Sequence, residues 1–238
     1  MVDTSRPDKV ESESLLLSSM RVAVIDHHRR AADYIENAAL NLYEPNASSS
    51  SELVTEVMQY LVDKKDILRL EAEALLTGIF LDTKGFSINT GARTFDAASF
   101  LKSAGADAAS VKRLLQTDMD TAVEKYAIMQ HVEMYREGTA IASGGLVLRN
   151  ISIAQASDEL LNIEGVSNSF AIAQIGGSVF VSGRSTGDMN VQYILEKLGG
   201  GGNQMTAGLQ VVGTSVDQVA ANIKRAIDDY ISDRNNRK

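Results

Sequence analysis

The stretch RVAVIDHHRR, from Arg21 to Arg30, decides the fold because it joins a β-branched apolar run to a charged cluster. A short apolar run that turns abruptly polar is typical of a buried strand, and we expect this strand to end at Asp26. Open α/β sheets bind ligands at the carboxyl ends of their strands. The triplet Asp26-His27-His28 is therefore a candidate for metal binding or proton transfer. The alternative is that two adjacent histidines are ordinary surface residues.

Two further carboxylates stand in a similar context. Asp3 follows Val2 in the opening segment MVDTSRPDKV, which has the pattern of a strand end. Asp82 ends a predicted helix that begins near Leu68 and carries apolar residues three or four positions apart. Taken alone, each carboxylate is explained more simply as a helix cap or a solvated group.

Composition excludes several classes of function. The 238 residues leave room for two domains. Lys and Arg total 23 against 31 Asp and Glu, a formal charge of −8, so we expect no duplex DNA partner. The absence of cysteine excludes disulfides, thiolate zinc sites and cysteine nucleophiles, which leaves His and carboxylate as metal ligands. No apolar run approaches the roughly 18 residues of a membrane span, and no signal peptide is present, so we expect a cytoplasmic location.

The chain divides by pattern into two α/β parts. The first part is rich in helices, including one with a capping box formed by Ser49 and Glu52, and the pattern predicts a last helix from about residue 120 to 136. His131 would lie within that helix, in a structural role. Strand and hairpin patterns begin near Glu137, including a hairpin that turns at Gly176-Gly177.

A run of four glycines, Gly199 to Gly202, follows a predicted helix and precedes a predicted strand. Such a run is most often a flexible turn. It can also expose backbone N–H groups in a nest that binds phosphate. The pattern alone leaves both interpretations open.

Nearly the whole chain resembles the DHH phosphoesterases, and within them the cyclic-di-AMP phosphodiesterases of the GdpP type. In the first half the matching stretches are VDTSRP (2–7), VIDHHRR (24–30), EPNASSSSELVTE (44–56), GIFLDTKGF (78–86) and RTFDAASFLKSAGAD (93–107). In the second half, GRSTGDMNVQ (183–192) and LGGGGNQMTAG (198–208) resemble the DHH-associated domain. The resemblance implies a DHH domain over residues 1–136, with a parallel sheet and helices. A smaller α/β DHH-associated domain for substrate binding would follow over residues 137–238.

The resemblance also implies a chemistry. DHH enzymes use two divalent ions, commonly Mn²⁺, to hydrolyse phosphodiesters, here cyclic di-AMP to linear pApA. By position, Asp3, His27 and Asp82 match the metal ligands, and His28 matches the catalytic histidine beside the scissile phosphate. Asp26 would not bind metal itself but would hydrogen-bond a histidine ring and so orient it.

The resemblance also implies roles for the two arginines after the histidines and for residues that would bind the substrate. Arg29-Arg30 favours the cyclic-dinucleotide branch, and a structural role at the strand end is equally open for either arginine. In the second domain the matching substrate residues are Arg184, with bidentate phosphate contacts, and Ser185, Gly200, Gly201, Gly202 and Asn203. Relatives usually have histidine at the position of Asn203.

One motif of the family has no counterpart in the chain. DHH enzymes carry a first metal motif of the type His-x-Asn-x-Asp-x-Asp, and no such segment occurs here. We therefore expect the isolated chain to bind metal weakly or at one position and to have little activity. We also expect an unpaired sheet edge, which favours a homodimer.

Alternatives and location follow from the same resemblance. The alternatives to cyclic di-AMP hydrolysis are nanoRNase-type hydrolysis of short oligonucleotides, and a non-catalytic nucleotide-binding fragment. Full-length relatives are held at the inner face of the plasma membrane by membrane helices, so a longer parent would be membrane-anchored.

Overall fold

The computed structural model describes residues 1–30, 33–136 and 138–235. It divides into two compact units, Met1–Gln116 and Thr117–Lys238. Glu137, where the predicted second domain begins, lies outside the described residues. The predicted domain ranges 1–136 and 137–238 stay a prediction.

The first unit combines a short parallel sheet with five α-helices among its described residues. Strand β1 (Ala23–Asp26) pairs in parallel with β2 (Leu40–Tyr43), and Val2 adds a parallel bridge to Ile25. The α-helices are α1 (Glu13–Ser18), α2 (Ser50–Leu61), α3 (Arg69–Asp82), α4 (Ala92–Ser103) and α5 (Ala108–Leu114). Two 3₁₀ turns lie at Pro7–Lys9 and Lys64–Asp66. The predicted parallel sheet with helices and the predicted end of β1 at Asp26 are confirmed.

Local sequence explains where α2 begins. Ser49 is the N-cap, and its hydroxyl accepts the backbone N–H of Glu52 at 3.0 Å. The carboxylate of Glu52 accepts from the backbone and hydroxyl of Ser48, so only half of the predicted capping box forms.

The core of this unit lies among α3, α4 and α5. Its buried residues are Ile67, Ala72, Leu76, Ile79, Ala97, Leu101, Ala106 and Val111.

The second unit is a six-stranded mixed sheet with helices on both faces. Its elements are α6 (Met119–Met129), β3 (Val132–Arg136), β4 (Thr139–Leu146), α7 (Asn150–Leu160), β5 (Asn168–Ile175), β6 (Ser178–Ser185), α8 (Val191–Glu196), β7 (Gly201–Gly202), β8 (Thr206–Val212) and α9 (Val216–Asn235). The strand order is β3-β4-β5-β6-β8-β7, with β4 and β5 parallel and the other pairs antiparallel. The predicted hairpin at Gly176-Gly177 joins β5 to β6 and is confirmed.

Alternation along β5 separates two apolar cores. Phe170 and Ile172 pack with α8 and α9, whereas Ala171 and Ala173 pack with α6 and α7. Small side chains on the second face let α7 approach the sheet closely. No helix in the described ranges is long and apolar enough to cross a membrane.

The predicted helix from about residue 120 to 136 is wrong in its second half. Helix α6 ends at Met129, and residues 132–136 form the edge strand β3 against β4. His131 therefore lies in the turn between them, not within a helix, with Nδ1 3.2 Å from the carbonyl of Ala127. Pairing with the next strand, β4, outweighs the local helical pattern.

Candidate functional site

Backbone pairing places Asp3 beside the end of β1. The Asp3 N–H donates to the carbonyl of Ile25 at 2.9 Å, and the Ile25 N–H donates to the carbonyl of Met1. Asp3 has φ = +66°, the left-handed region that costs most residues about 1–2 kcal/mol but that Asp adopts more readily. The first residues thus run parallel to β1 and deliver a carboxylate to the edge where the triplet lies.

His27 presents one ring nitrogen to two carboxylates. Its Nδ1 lies 3.3 Å from the carbonyl of Ala47, so an N–H there donates to the backbone. The other nitrogen, Nε2, lies 3.5 Å from Asp3 Oδ1 and 3.7 Å from Asp82 Oδ2. A histidine whose Nδ1–H is held by a carbonyl offers its Nε2 lone pair to a cation.

Asp26 and His28 form a second, interlocked pair. Asp26 is 1% exposed and accepts hydrogen bonds from His28 Nδ1 at 2.8 Å and from the His28 backbone N–H at 3.1 Å. Burial raises the pKa of Asp26, but the hydrogen bonds from His28 and from the Ser5 hydroxyl outweigh it, so the pKa lies below its ordinary value. An ionised Asp26 thus holds the His28 ring in one orientation and leaves Nε2 as its other nitrogen.

The potential ligands form a compact four-donor cluster of Asp3, His27, His28 and Asp82. One donor atom each from Asp3, His27 and His28 lies within 4.8 Å of the other two, and Asp82 joins through its contact with His27. Burial raises the pKa of Asp82, and the neighbouring Asp3 charge raises it further against the attraction of His27. Two carboxylates beside one imidazole nitrogen favour a cation at that position.

The loop after Asp82 is backbone-strained. Asp82 is the last residue of α3, and the buried Thr83 closes the turn by donating to the Ile79 carbonyl and accepting from the Phe86 N–H. Lys84 and Phe86 both have positive φ, at +46° and +65°. Strain of this kind clusters at functional sites, where it fixes a neighbouring ligand.

A pocket of about 550 Å³ adjoins the four-donor cluster. Asp3, Asp26 and His28 line one part, and its basic lining residues are Arg6, Lys9 and Arg29. Sequence reasoning missed Arg6 and Lys9. The signal was available, because both follow Asp3 within the stretch VDTSRPDK.

Arg30 has the structural role that the sequence left open, although through aromatic rings and not through a salt bridge. Its guanidinium carbon lies 4.4 Å from the ring centroid of Tyr34 and 4.2 Å from that of Tyr43. Its backbone N–H donates to the Tyr43 hydroxyl at 2.9 Å. Since Tyr43 pairs with Asp26 across β1 and β2, this clamp ties the chain after the histidines to the sheet.

Arg184 and Ser185, predicted as a binding pair, serve opposite faces of β6. Neighbouring residues in a strand point to opposite faces. The Arg184 guanidinium binds Asp158 of α7, whereas the buried Ser185 hydroxyl donates to Asn168 Oδ1 at 2.8 Å. The Ser185 oxygen also accepts the Gly187 N–H. The two side chains thus make their present contacts on different faces of β6, and their role in substrate binding stays a prediction.

The glycine run is ordered by close backbone approach. Gly199 and Gly200 lie in the turn after α8, with N–H groups donating to the carbonyls of Glu196 and Leu195 at 3.0 and 2.8 Å. The next two glycines form β7 against β8. Gly202 has φ = +150°, and a Cβ there would meet Ala207 Cα at 2.5 Å. The N–H of Gly200 is thus used within the chain, and the last two glycines of the run lie in a strand.

The remaining predicted substrate residues line or adjoin a shallow surface. Gly200 and Gly201 border a pocket of about 390 Å³ beside Phe180 and Gln210. Asn203 closes the turn into β8, its Oδ1 accepting from the N–H groups of Met205 and Thr206 at 3.0 and 2.9 Å. This turn uses the side-chain oxygen of Asn203 and not its amide nitrogen.

Comparison with known proteins gives consistent matches for both units. Residues 1–79 match the DHH family, N-terminal domain, and residues 138–233 match the DHHA1 domain. The chain is 44% identical over 233 residues to "Cyclic-di-AMP phosphodiesterase GdpP" of Geobacillus thermodenitrificans (strain NG80-2), covering 97% of this chain and 35% of that protein. It is 41% identical to "Cyclic-di-AMP phosphodiesterase PdeA" of Listeria monocytogenes serotype 1/2a (strain 10403S), covering 97% and 36%. The chain thus spans about a third of the length of these curated relatives.

A solved structure shares the fold. An exopolyphosphatase-related protein from Bacteroides fragilis matches with a TM-score of 0.82 at 20% identity, covering 96% of this chain and 70% of that one. At this level of identity the likeness shows the fold alone.

Proposed function

The chain belongs to the DHH family and carries a DHHA1 domain, and from this premise we propose that it hydrolyses cyclic di-AMP to linear pApA with a divalent metal ion. The observation that carries the proposal is the four-donor cluster at the end of β1. The names of the two relatives indicate the substrate.

The donor set fits a divalent ion. Imidazole nitrogen with carboxylate oxygen suits Mn²⁺ and similar first-row ions, and we propose Mn²⁺ as the resident ion. Asp3, His27 and Asp82 would hold it, with water completing the four to six ligands that such an ion takes. When bound, the ion supplies a Lewis acid for the phosphate and lowers the pKa of water. The cluster has donors for one ion, and the second ion that the resemblance implies would need further ligands.

The residues around the ligands have separable tasks. The carbonyl of Ala47 fixes the His27 ring, so its Nε2 lone pair faces Asp3 and Asp82. The Asp26 carboxylate fixes His28 through Nδ1. His28 can then hold a proton at Nε2 for the leaving oxygen.

The reaction balances with water as the only co-substrate. A water oxygen bonds to phosphorus, the bond from phosphorus to the 3′ oxygen breaks, and the proton from His28 Nε2 goes to that oxygen. The phosphate stays on the 5′ oxygen, which yields pApA. The proton that the attacking water loses returns the site to its starting state.

Basic side chains would hold the phosphates of the substrate. Arg6, Lys9 and Arg29 line the pocket beside the cluster in the first unit. In the second unit, Arg184 is the anion-binding group that we propose. Charge-assisted hydrogen bonds from these groups offset the negative charge of the chain as a whole.

A substrate panel tests the proposal. Cyclic di-AMP, linear pApA and a short RNA are incubated with the chain and Mn²⁺, and products are separated by ion-pair chromatography. Because no segment of the chain matches the first metal motif of the family, we expect a low overall rate, with cyclic di-AMP consumed fastest and pApA as product. His27→Ala should lower that rate further, by up to about 100-fold. His131→Ala, the matched histidine control, leaves the rate unchanged. Faster loss of short RNA would favour the oligonucleotide alternative, and a wild-type rate no higher than that of His27→Ala would overturn hydrolysis.

The homodimer and the membrane-anchored parent remain part of the proposal. The names of the two relatives state an activity and neither an oligomeric state nor a location. Sedimentation of the purified chain tests the dimer directly, with a single monomeric species as the result against it.

A further inference from the structure

Most N–H groups of the Arg184 guanidinium already donate to residues of the second unit. Nε–H donates to Asp158 Oδ1 at 3.1 Å, and Nη1 donates to the Ser182 hydroxyl at 2.8 Å and to the Gly183 carbonyl at 3.1 Å. These contacts use three of the five N–H donors of the group. No described residue accepts from Nη2, whose two N–H groups are therefore the ones left for a ligand.

The anchor of this arrangement is rigid. Asp158 lies on α7 beside Ser157, whose buried hydroxyl donates to the Ser182 carbonyl at 3.0 Å and contacts the Ser169 hydroxyl at 3.0 Å. This network fastens α7 to β5 and β6 next to the ion pair. The Arg184 side chain is 13% exposed and that of Asp158 is 39% exposed. The guanidinium thus has one face in the protein and one edge toward solvent.

We propose that Asp158 is a positioning residue that orients Arg184 so that Nη2 meets a phosphate of the substrate. The inference rests on the proposed function, because it takes the phosphate from the dinucleotide. It also changes the expected contact. With Nε held by Asp158 and Nη1 held by Ser182, Arg184 binds the phosphate through one nitrogen and not through a bidentate fork.

Asp158 has two opposite effects on phosphate binding, one through its charge and one through the position in which it holds Arg184. Two substitutions separate these effects. The carboxylate repels an incoming phosphate, yet its oxygen holds Nε–H. Asp158→Asn keeps an oxygen that accepts from Nε–H and removes the charge. Asp158→Ala removes both, and only the two contacts of Nη1 then hold the guanidinium.

Steady-state kinetics and equilibrium binding of cyclic di-AMP test the proposal on the full chain. We expect Asp158→Ala to raise KM and Kd by about tenfold with kcat unchanged, the usual effect of losing one charge-assisted hydrogen bond. Asp158→Asn should restore both constants to within about twofold of wild type. Glu164→Ala, an exposed acidic residue on the loop after α7, is the matched control. Equal loss in the Ala and Asn variants, or no loss in the Ala variant, would overturn the proposal.

A second readout keeps positioning separate from the proposed function. In ¹⁵N NMR spectra, an arginine Nε–H held by a carboxylate exchanges slowly and gives a resolved signal. We expect this signal in wild type and in Asp158→Asn, and its loss in Asp158→Ala. A wild type that binds no cyclic di-AMP but shows this pattern would refute the substrate and keep the positioning, whereas a missing wild-type signal would refute the positioning itself.

Discussion

Replacing Gly202 by alanine separates the packing role of the glycine run from a binding role. A Cβ at Gly202 would meet the Ala207 Cα at 2.5 Å and crowd the carbonyl of Thr206, both backbone positions that cannot turn aside. The residue also has φ = +150°, a conformation that side chains rarely adopt. Gly201, its immediate neighbour, would place a Cβ with no atom within 4 Å and without a positive φ. The two substitutions thus differ in geometry while sharing their chemistry.

The structure sets the size of the effect. Overpacking against fixed backbone costs about 1–3 kcal/mol, and the disfavoured backbone conformation costs about 1–3 kcal/mol more. We therefore expect Gly202→Ala to lower the free energy of unfolding of the second unit by about 2–6 kcal/mol. For Gly201→Ala we expect a change below about 1 kcal/mol.

Hydrogen-exchange mass spectrometry of peptides from β6 to β8 measures this difference in the second unit alone. Greatly faster exchange in Gly202→Ala, with near wild-type exchange in Gly201→Ala, is the expected result. If the two variants exchange within about 0.5 kcal/mol of each other, the close-approach reasoning is refuted. Because Gly201→Ala keeps the fold, any loss of cyclic di-AMP binding in that variant reports contact with the ligand.

Three further predictions concern metal, pH and the arginine clamp. Calorimetric titration of the chain with Mn²⁺ should give one ion per chain, and two tight sites would contradict the donor count. The hydrogen bond from Tyr135 holds the pKa of Asp228 below its ordinary value, because it outweighs the opposite effect of burial. Asp228→Asn should therefore lower the free energy of unfolding by its full amount above the unfolded pKa of about 3.9. This difference between variant and wild type should vanish as pH falls through the lowered folded pKa. Urea unfolding from pH 7 to pH 3 measures this gap, and a constant gap would contradict it. Arg30→Ala should lower stability by about 1–2 kcal/mol through loss of the Tyr43 contacts, whereas Arg29→Ala should change it by less than about 0.5 kcal/mol, and equal urea midpoints would contradict the clamp.

The sequence alone predicted those parts of the site that depend on local pattern. An apolar run that ends abruptly at Asp26 signals a strand end, and regular apolar spacing up to Leu81 places Asp82 at a helix end. The pattern also marked Asp3 as the end of a strand, and the resemblance to a family gave it the role of a metal ligand. Its position beside β1 depends on the parallel pairing of the first residues with Ile25. Pairing of this kind leaves only a weak local trace in sequence.

Contacts between one element of secondary structure and another account for what the sequence could not predict. The glycine run is set by the approach of β8, which no pattern around Gly199 reveals. Residues 132–136 form a strand only because β4 pairs with them. Asp158 and Arg184 are 26 positions apart, and only the packing of α7 on β6 shows that one holds the other. Local propensity carries no information on such pairs.

The most direct test of the central claim is one titration that follows hydrolysis of cyclic di-AMP against Mn²⁺ concentration. Wild type, His27→Ala and the matched His131→Ala are compared under identical conditions. If the four-donor cluster is the metal centre, wild type and His131→Ala show the same metal-dependent rise in pApA formation, and His27→Ala stays near the metal-free rate. A metal-dependent rise in His27→Ala equal to that of wild type would contradict the claim.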